Sequence, residues 1–391
     1  MIPELREQFN ANWQPANYAE FLRRVDERSG THVQFRLSET PVFLPKPLIE
    51  KMVRYGLELY DQLVSNAEYR KAAHEAIPPQ FRVPNESDHP LSVQADFGLV
   101  RDPNGELEPK LVEIQGFPSI YALQQVIAEE YRNAYHLDAK LQTLLGGLTR
   151  ETYVDVLRRA ILGSHSPENV VLLEIDPYEQ KTLPDFLLTQ QMLGLRIANI
   201  SEVNKRRRKL YLDGIEIRRI YNRVIVDELV RKKIESEFSF TDDLDVEWAG
   251  HPNWFFLLSK FSLPWFDHPC VPQTQSLSET PVLPENLEDY VLKPLYSFAG
   301  LGVKVGPLRS EIESIPKAER SEYILQQRME FVPTLETPSG PTKAEIWVMY
   351  IWDGALKPVT TILRTGRSKM MGVDFNKGLD WVGASAGFYL P

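Results

Sequence analysis

The stretch Tyr290-Val-Leu-Lys-Pro-Leu-Tyr-Ser-Phe-Ala-Gly-Leu-Gly-Val-Lys-Val-Gly306 limits what this chain can fold into more than any other segment. A short apolar run presents Lys293, a loop carries Ser297, Gly300 and Gly302, and a second alternating run follows. Glycines let backbone amides approach phosphate oxygens closely, and a lysine adds a point charge to them. The spacing is neither the Walker A loop nor the dinucleotide GxGxxG, because both need a helix where this stretch continues as a strand. Taken alone, it reads equally well as a hairpin with a flexible turn.

A second hairpin lies earlier. Ser92 to Val100 and Pro109 to Phe117 flank Asp102-Pro-Asn-Gly105, whose Asn-Gly step suits a turn with positive φ. Glu113 and Gln115 are two apart, so they share one face of their strand, and Asp96 can meet them from the partner strand. Two carboxylates and an amide oxygen suit magnesium, which takes few protein oxygens and keeps phosphates or water for the rest. A half-exposed polar sheet face would look the same.

The 391 residues suffice for two or three packed units, and 43% hydrophobic with 25% charged residues is globular composition. A net charge of −10 argues against a general nucleic-acid binder. Cys270 is the only cysteine, which excludes an intrachain disulfide and fits a reducing compartment. The first residues lack the apolar core of a signal peptide, and no run reaches the ~18 apolar residues of a membrane span. A cytoplasmic protein is expected.

The pattern predicts an α/β (α+β) chain in four parts. Residues 1–90 read as mainly helical, with Met52, Tyr55, Leu57, Leu59, Leu63 and Val64 near one face of a helix over 51–69. Residues 91–165 hold the acidic hairpin and two helices near 120–135 and 149–162. Residues 166–250 form a small α/β unit, with Asp213-Gly214 as another hairpin turn. Residues 251–391 begin with a helix through Asn253-Trp-Phe-Phe-Leu-Leu-Ser-Lys260 and become strand-rich, through Tyr323-Ile-Leu-Gln-Gln327, Glu345, Arg364 and Ser385. Arg223 closes the run IYNR. Scattered histidines and the run Lys205–Lys209 suit caps and solvated turns, and Trp347 and Trp352 suit a core.

This order of parts resembles the circularly permuted branch of the ATP-grasp family that includes the glutathionylspermidine synthetases. ADFGLV and LVEIQGFPSIYAL are similar to that branch's Asp-Phe strand and Leu-Glu-x-Asn-x-x-x-Pro motif. NWFFLLSKFSLP is similar to its first lysine helix, YVLKPLYSFAGLGV to its second lysine and flap, and ILQQ to its hinge; the likeness spans about residues 90–390. The resemblance implies a nucleotide held between two sheet-containing subdomains, with ATP and Mg2+ as cofactors and small-molecule carboxylate and amine substrates. It implies Asp96, Glu113 and Gln115 on magnesium and Lys260 and Lys293 on the phosphates. Ser297, Gly300 and Gly302 would form the flap, and Gln326 and Gln327 would flank adenine. Arg364 would face the acyl phosphate, and Arg223 phosphate or substrate. Gln115 stands where Asn is usual, Gln94 where the synthetases have arginine, and Trp347 where ordinary ATP-grasp chains often have arginine. The expected activity is a carboxylate–amine or carboxylate–thiol ligase. A nucleotide-binding homologue without catalysis, or a kinase on the same fold, stays open.

Overall fold

The computed structural model describes every residue except 298 and 299, which fall inside the expected flap, and for residues 373 and 374 it describes the backbone alone. The result is a mixed α/β fold with several sheets. At its centre is a five-stranded antiparallel sheet, in the order Gly383–Ser385, Leu356–Gly366, Lys343–Trp352, Ser92–Arg101, Leu107–Gln115. Alternation gives this sheet two unlike faces. Val93, Ala95, Phe97, Ile346, Val348 and Tyr350 point to one side and are fully or almost fully buried. There they meet the helix Lys46–Ser65, whose Met52, Tyr55 and Leu59 enter the same core. The Tyr350 hydroxyl donates to the carbonyl of Val53 at 2.9 Å, fastening helix to sheet. The other face carries the polar residues described below.

The acidic hairpin forms as expected, from Ser92–Arg101 and Leu107–Gln115. Only Gly105 in its turn takes a positive φ, +84°. The expected helices are Tyr121–Tyr135 and Arg150–Leu162. The middle of the chain makes a parallel sheet, in the order Glu247–Ala249, Arg219–Asn222, Val170–Glu174, Arg196–Asn199. Its apolar run Val170–Leu173 is fully buried, as a strand covered on both faces requires. Asp213 and Gly214 both take positive φ, +50° and +79°, which gives the tight turn of that hairpin.

A second antiparallel sheet, in the order Thr274–Ser276, Tyr323–Gln327, Tyr290–Pro294, Lys304–Val305, faces the central one. Leu292 and Leu325 pack from its back onto a separate small core with Leu277, Leu287 and Ile312. Its front carries Val291, Lys293, Val305 and Gln326. The sequence from Trp254 differs from expectation. A single helical turn, Trp254–Leu257, ends at Ser259, which is extended (φ −148°, ψ −172°), and a 3-10 segment Lys260–Trp265 follows. The Ser259 hydroxyl accepts from the Phe261 amide, capping the new segment and competing with a continuous helix. No helix among the described residues is long and apolar enough to cross a membrane.

Candidate nucleotide and metal site

Between the two sheets lies a cleft of about 1120 Å³, counting the part open to solvent. Asp96, Glu113, Lys260, Lys293, Gly300, Gln326, Gln327 and Arg364 all line it. The central sheet supplies the acids. Asp96 is opposite Glu113 in the hairpin, and a register shift just beyond them pairs Phe97 with Leu111. That irregularity leaves Val112 outside the ladder pairing, with its carbonyl free to accept from Lys293 at 3.0 Å.

Two lysines enter from opposite elements. Lys260 Nζ is 2.9 Å from Glu113 Oε2 and donates to the Ser297 carbonyl at 2.9 Å. Lys293 Nζ also donates to Gln326 Oε1 at 2.7 Å, and the Gln326 amide donates to Thr274 at 3.0 Å. Gln326 thus fixes the lysine while itself lining the cleft. Burial, with Lys260 close by, pushes the Lys293 ammonium down to about 8, against the pull of Glu113 and Asp96. Burial works to raise the Glu113 carboxyl, but Lys260, with Lys293 and Arg364 behind it, holds it below its usual range. Asp96 is pushed well above its usual range by burial and then by the Glu345 and Glu113 carboxylates.

Gly300 and Gly302 take φ of +76° and +74°, a region where a side chain is strained. A Cβ on Gly302 would lie 2.9 Å from Pro294, and one on Gly300 would lie 3.2 Å from Met370. Gly302 therefore lies against Pro294 of its own strand, and Gly300 against Met370 in the loop after Leu356–Gly366.

Four expected residues stand apart from the cleft lining, Gly302 against Pro294 and three others. Ser297 contributes its carbonyl to Lys260, while its hydroxyl is buried without a partner among the described residues. Gln115 is half-buried opposite Gln94. Arg223 is buried in the parallel-sheet unit, donates to the Ser119 carbonyl at 2.7 Å, and lies near the rings of Phe117, Phe186 and Tyr221.

Other residues joined the site without a signal strong enough to assign them. Glu345 lines the cleft and accepts from Arg364 at 3.1 Å and from Trp347 at 3.2 Å, both at Oε1. Trp347 is partly buried and packs against a hydrophobic core, with the Arg364 guanidinium 4.8 Å from its ring centroid, so it joins that core to the polar face. Lys343, Lys369 and Met370 also line the cleft. Alternation along Lys343–Trp352 could have placed Lys343, Glu345 and Trp347 on one face; what it could not say was which face. The histidines are engaged structurally, His251 with the Pro84 carbonyl and His268 with Glu58.

The donor set fits a divalent ion held with few protein ligands. Among the described residues no three His, Cys, Asp or Glu side chains are gathered at ligand spacing. Magnesium does not require that, since one or two carboxylates plus phosphate oxygens are its usual set. Asp96 Oδ1 is buried and lacks a hydrogen-bond partner among the described residues, which is costly unless a ligand answers it.

No family model matches the sequence, and no curated protein matches it. Among solved structures, a glutathione synthetase-like effector (GSS30) from Globodera pallida, in its apo form, superposes with a TM-score of 0.55 at 12% identity. The match covers 95% of this chain and 97% of that one. At that identity the likeness is one of fold, shared with that glutathione synthetase-like protein.

Proposed function

We propose that the chain is an ATP- and magnesium-dependent ligase that activates a carboxylate as an acyl phosphate and joins it to an amine or thiol. What carries this reading is the meeting of Lys260 and Lys293 with Asp96 and Glu113 in one cleft between two sheets. The circularly permuted order of the parts and the fold likeness support it.

In this reading the adenine lies at the end lined by Val112, Val291 and Val305, near Gln327. Lys260 and Lys293 face the phosphates, and Gly300 and Gly302 shape the flap that covers them. Magnesium, when bound by Asp96 and its neighbouring acids, would offset phosphate charge. The substrate carboxylate oxygen attacks the γ-phosphorus and ADP leaves with the bridging oxygen. The amine then attacks the acyl carbon, phosphate leaves with the C–O electron pair, and the amine gives up a proton. Positioning and charge neutralisation do most of the work. Arg364 would answer the acyl phosphate's charge, and the flap would limit its hydrolysis by water.

A second reading, a homologue that binds nucleotide without forming a bond, draws on Gln94. Its side chain is buried and donates to the Phe117 carbonyl at 2.6 Å, where the resemblance would place a free arginine. Incubation with ATP, magnesium and pooled amino acids, amines and small peptides separates the readings. ADP with free phosphate and a new amide or thioester is expected of the ligase. ADP with a stable phosphorylated hydroxyl would mean a kinase. Nucleotide binding without ADP would leave the non-catalytic reading standing.

A further inference from the structure

The cleft holds a carboxylate that the acidic hairpin does not supply. Glu345 lies opposite Gly98 on the neighbouring strand, and Asp96 lies opposite Trp347, so the two acids are diagonal neighbours on one sheet face. Both line the cleft, with exposures of 5% and 3%. Among the described residues Asp96 Oδ1 has no hydrogen-bond partner. Glu345 is held at Oε1 by Arg364 and Trp347 together, which fixes the direction of its carboxyl. Two buried carboxylates side by side repel unless a proton or a cation lies between them.

The other acids and amides are less suited. The charge of Glu113 is already answered by Lys260 at 2.9 Å. Gln115 is half-buried beside Gln94, outside the cleft lining, and an amide oxygen carries no net charge. Resting on the ATP-dependent reading above, we propose that Glu345 and Asp96 are the protein carboxylates that hold the divalent cation of the nucleotide, and that Gln115 is not one of its ligands. Two carboxylates plus phosphate oxygens make a sufficient set for magnesium. The arrangement also gives Trp347 a purpose: it positions Glu345 from the strand residue that faces Asp96.

The test uses the full chain and a non-hydrolysable ATP analogue with a fluorescent ribose substituent. Analogue binding is titrated without metal and with Mg2+, and Mn2+ binding to the complex is followed by electron paramagnetic resonance. Glu345→Gln and Asp96→Asn should each lower Mn2+ affinity at least about tenfold. Both should still bind the analogue without metal. Gln115→Ala should stay within about twofold of wild type, as for a side chain outside the site. Thermal melting checks that each variant folds. Should Glu345→Gln not fold, Glu345→Asp keeps the charge but withdraws the carboxyl by a methylene, and it too should weaken Mn2+. Loss of Mn2+ in Gln115→Ala, with Glu345 variants unchanged, overturns the ligand assignment and leaves the ATP-dependent reading intact. Failure of the wild type to bind the analogue under any condition overturns both.

Discussion

Lys260 Nζ stands 2.9 Å from Glu113 Oε2 and at the same distance from the carbonyl of Ser297. One ammonium thereby joins the acidic hairpin of the central sheet to the root of the glycine flap on the other sheet. This link and that from Lys293 to the Val112 carbonyl tie the two sheets together across the cleft.

The pair should be energetically coupled. Lys260→Met leaves Glu113 without its cation, and Glu113→Gln leaves Lys260 with only the Ser297 carbonyl. Urea unfolding of both single variants and the double variant should give a coupling of about 0.5–3 kcal/mol. Effects that simply add would mean the two groups do not interact in solution.

Lys293 should bind phosphate as a charged group only below its own titration. Lys293→Ala is expected to weaken ATP binding more than about tenfold, since a hydrogen bond to a charged group is worth about 1.5–3 kcal/mol. Because burial pushes Lys293 down to about 8, affinity should fall as pH rises through that value. Lys293→Arg keeps its charge and should remove that step. The folding sign is opposite. Between about 8 and the usual value of 10.5 the unfolded chain holds more protons, so this group's contribution to stability rises with pH. Calorimetric titration across pH 7 to 9.5 checks the binding half; a flat wild-type profile would remove Lys293 from the phosphates.

How much of this was legible follows from where each signal lives. Asp96 and Glu113 belong to one hairpin, and strand alternation with an Asn-Gly turn is a local pattern. Lys293, Gly300 and Gly302 likewise sit in one contiguous stretch. Glu345 was out of reach because its place beside Asp96 depends on register between strands far apart in the chain. The break at Ser259 was hidden because Trp254, Phe256, Leu257 and Leu263 give an apolar pattern that a helix would also show. The register shift beside Asp96, which frees the Val112 carbonyl, has no sequence mark at all. Arg223 was read from its position after the α/β unit, but its guanidinium turns to Ser119 and a ring of aromatics.

Gly98 is predicted to be indispensable for the shape of the cleft floor. A Cβ there would lie 2.1 Å from the Phe331 ring, which lines the cleft directly above the strand. Gly98→Ala should cost about 1–3 kcal/mol through overpacking and should displace Phe331. Adding Phe331→Leu should recover much of that loss. Chemical unfolding of the single and double variants measures both, and an unaltered midpoint for Gly98→Ala would show that the ring moves aside freely.

Glu174 offers a stability test independent of the cleft. It ends a fully buried strand, its Oε1 accepts from the Ile175 amide at 2.8 Å, and burial raises its carboxyl to about 7, against the pull of Arg223. An acid with a raised folded pKa stabilises below its unfolded value of 4.5 and loses that contribution as pH rises toward 7. Above that, folding buries a charge that the unfolded chain would leave in water. Glu174→Gln keeps the acceptor for Ile175 but has no proton to lose. It should therefore match wild type near pH 4 and be more stable at pH 8, by on the order of 1–3 kcal/mol. Urea unfolding at both values decides it: an equal difference at pH 4 and pH 8 would show that packing, not ionisation, sets the effect of this residue.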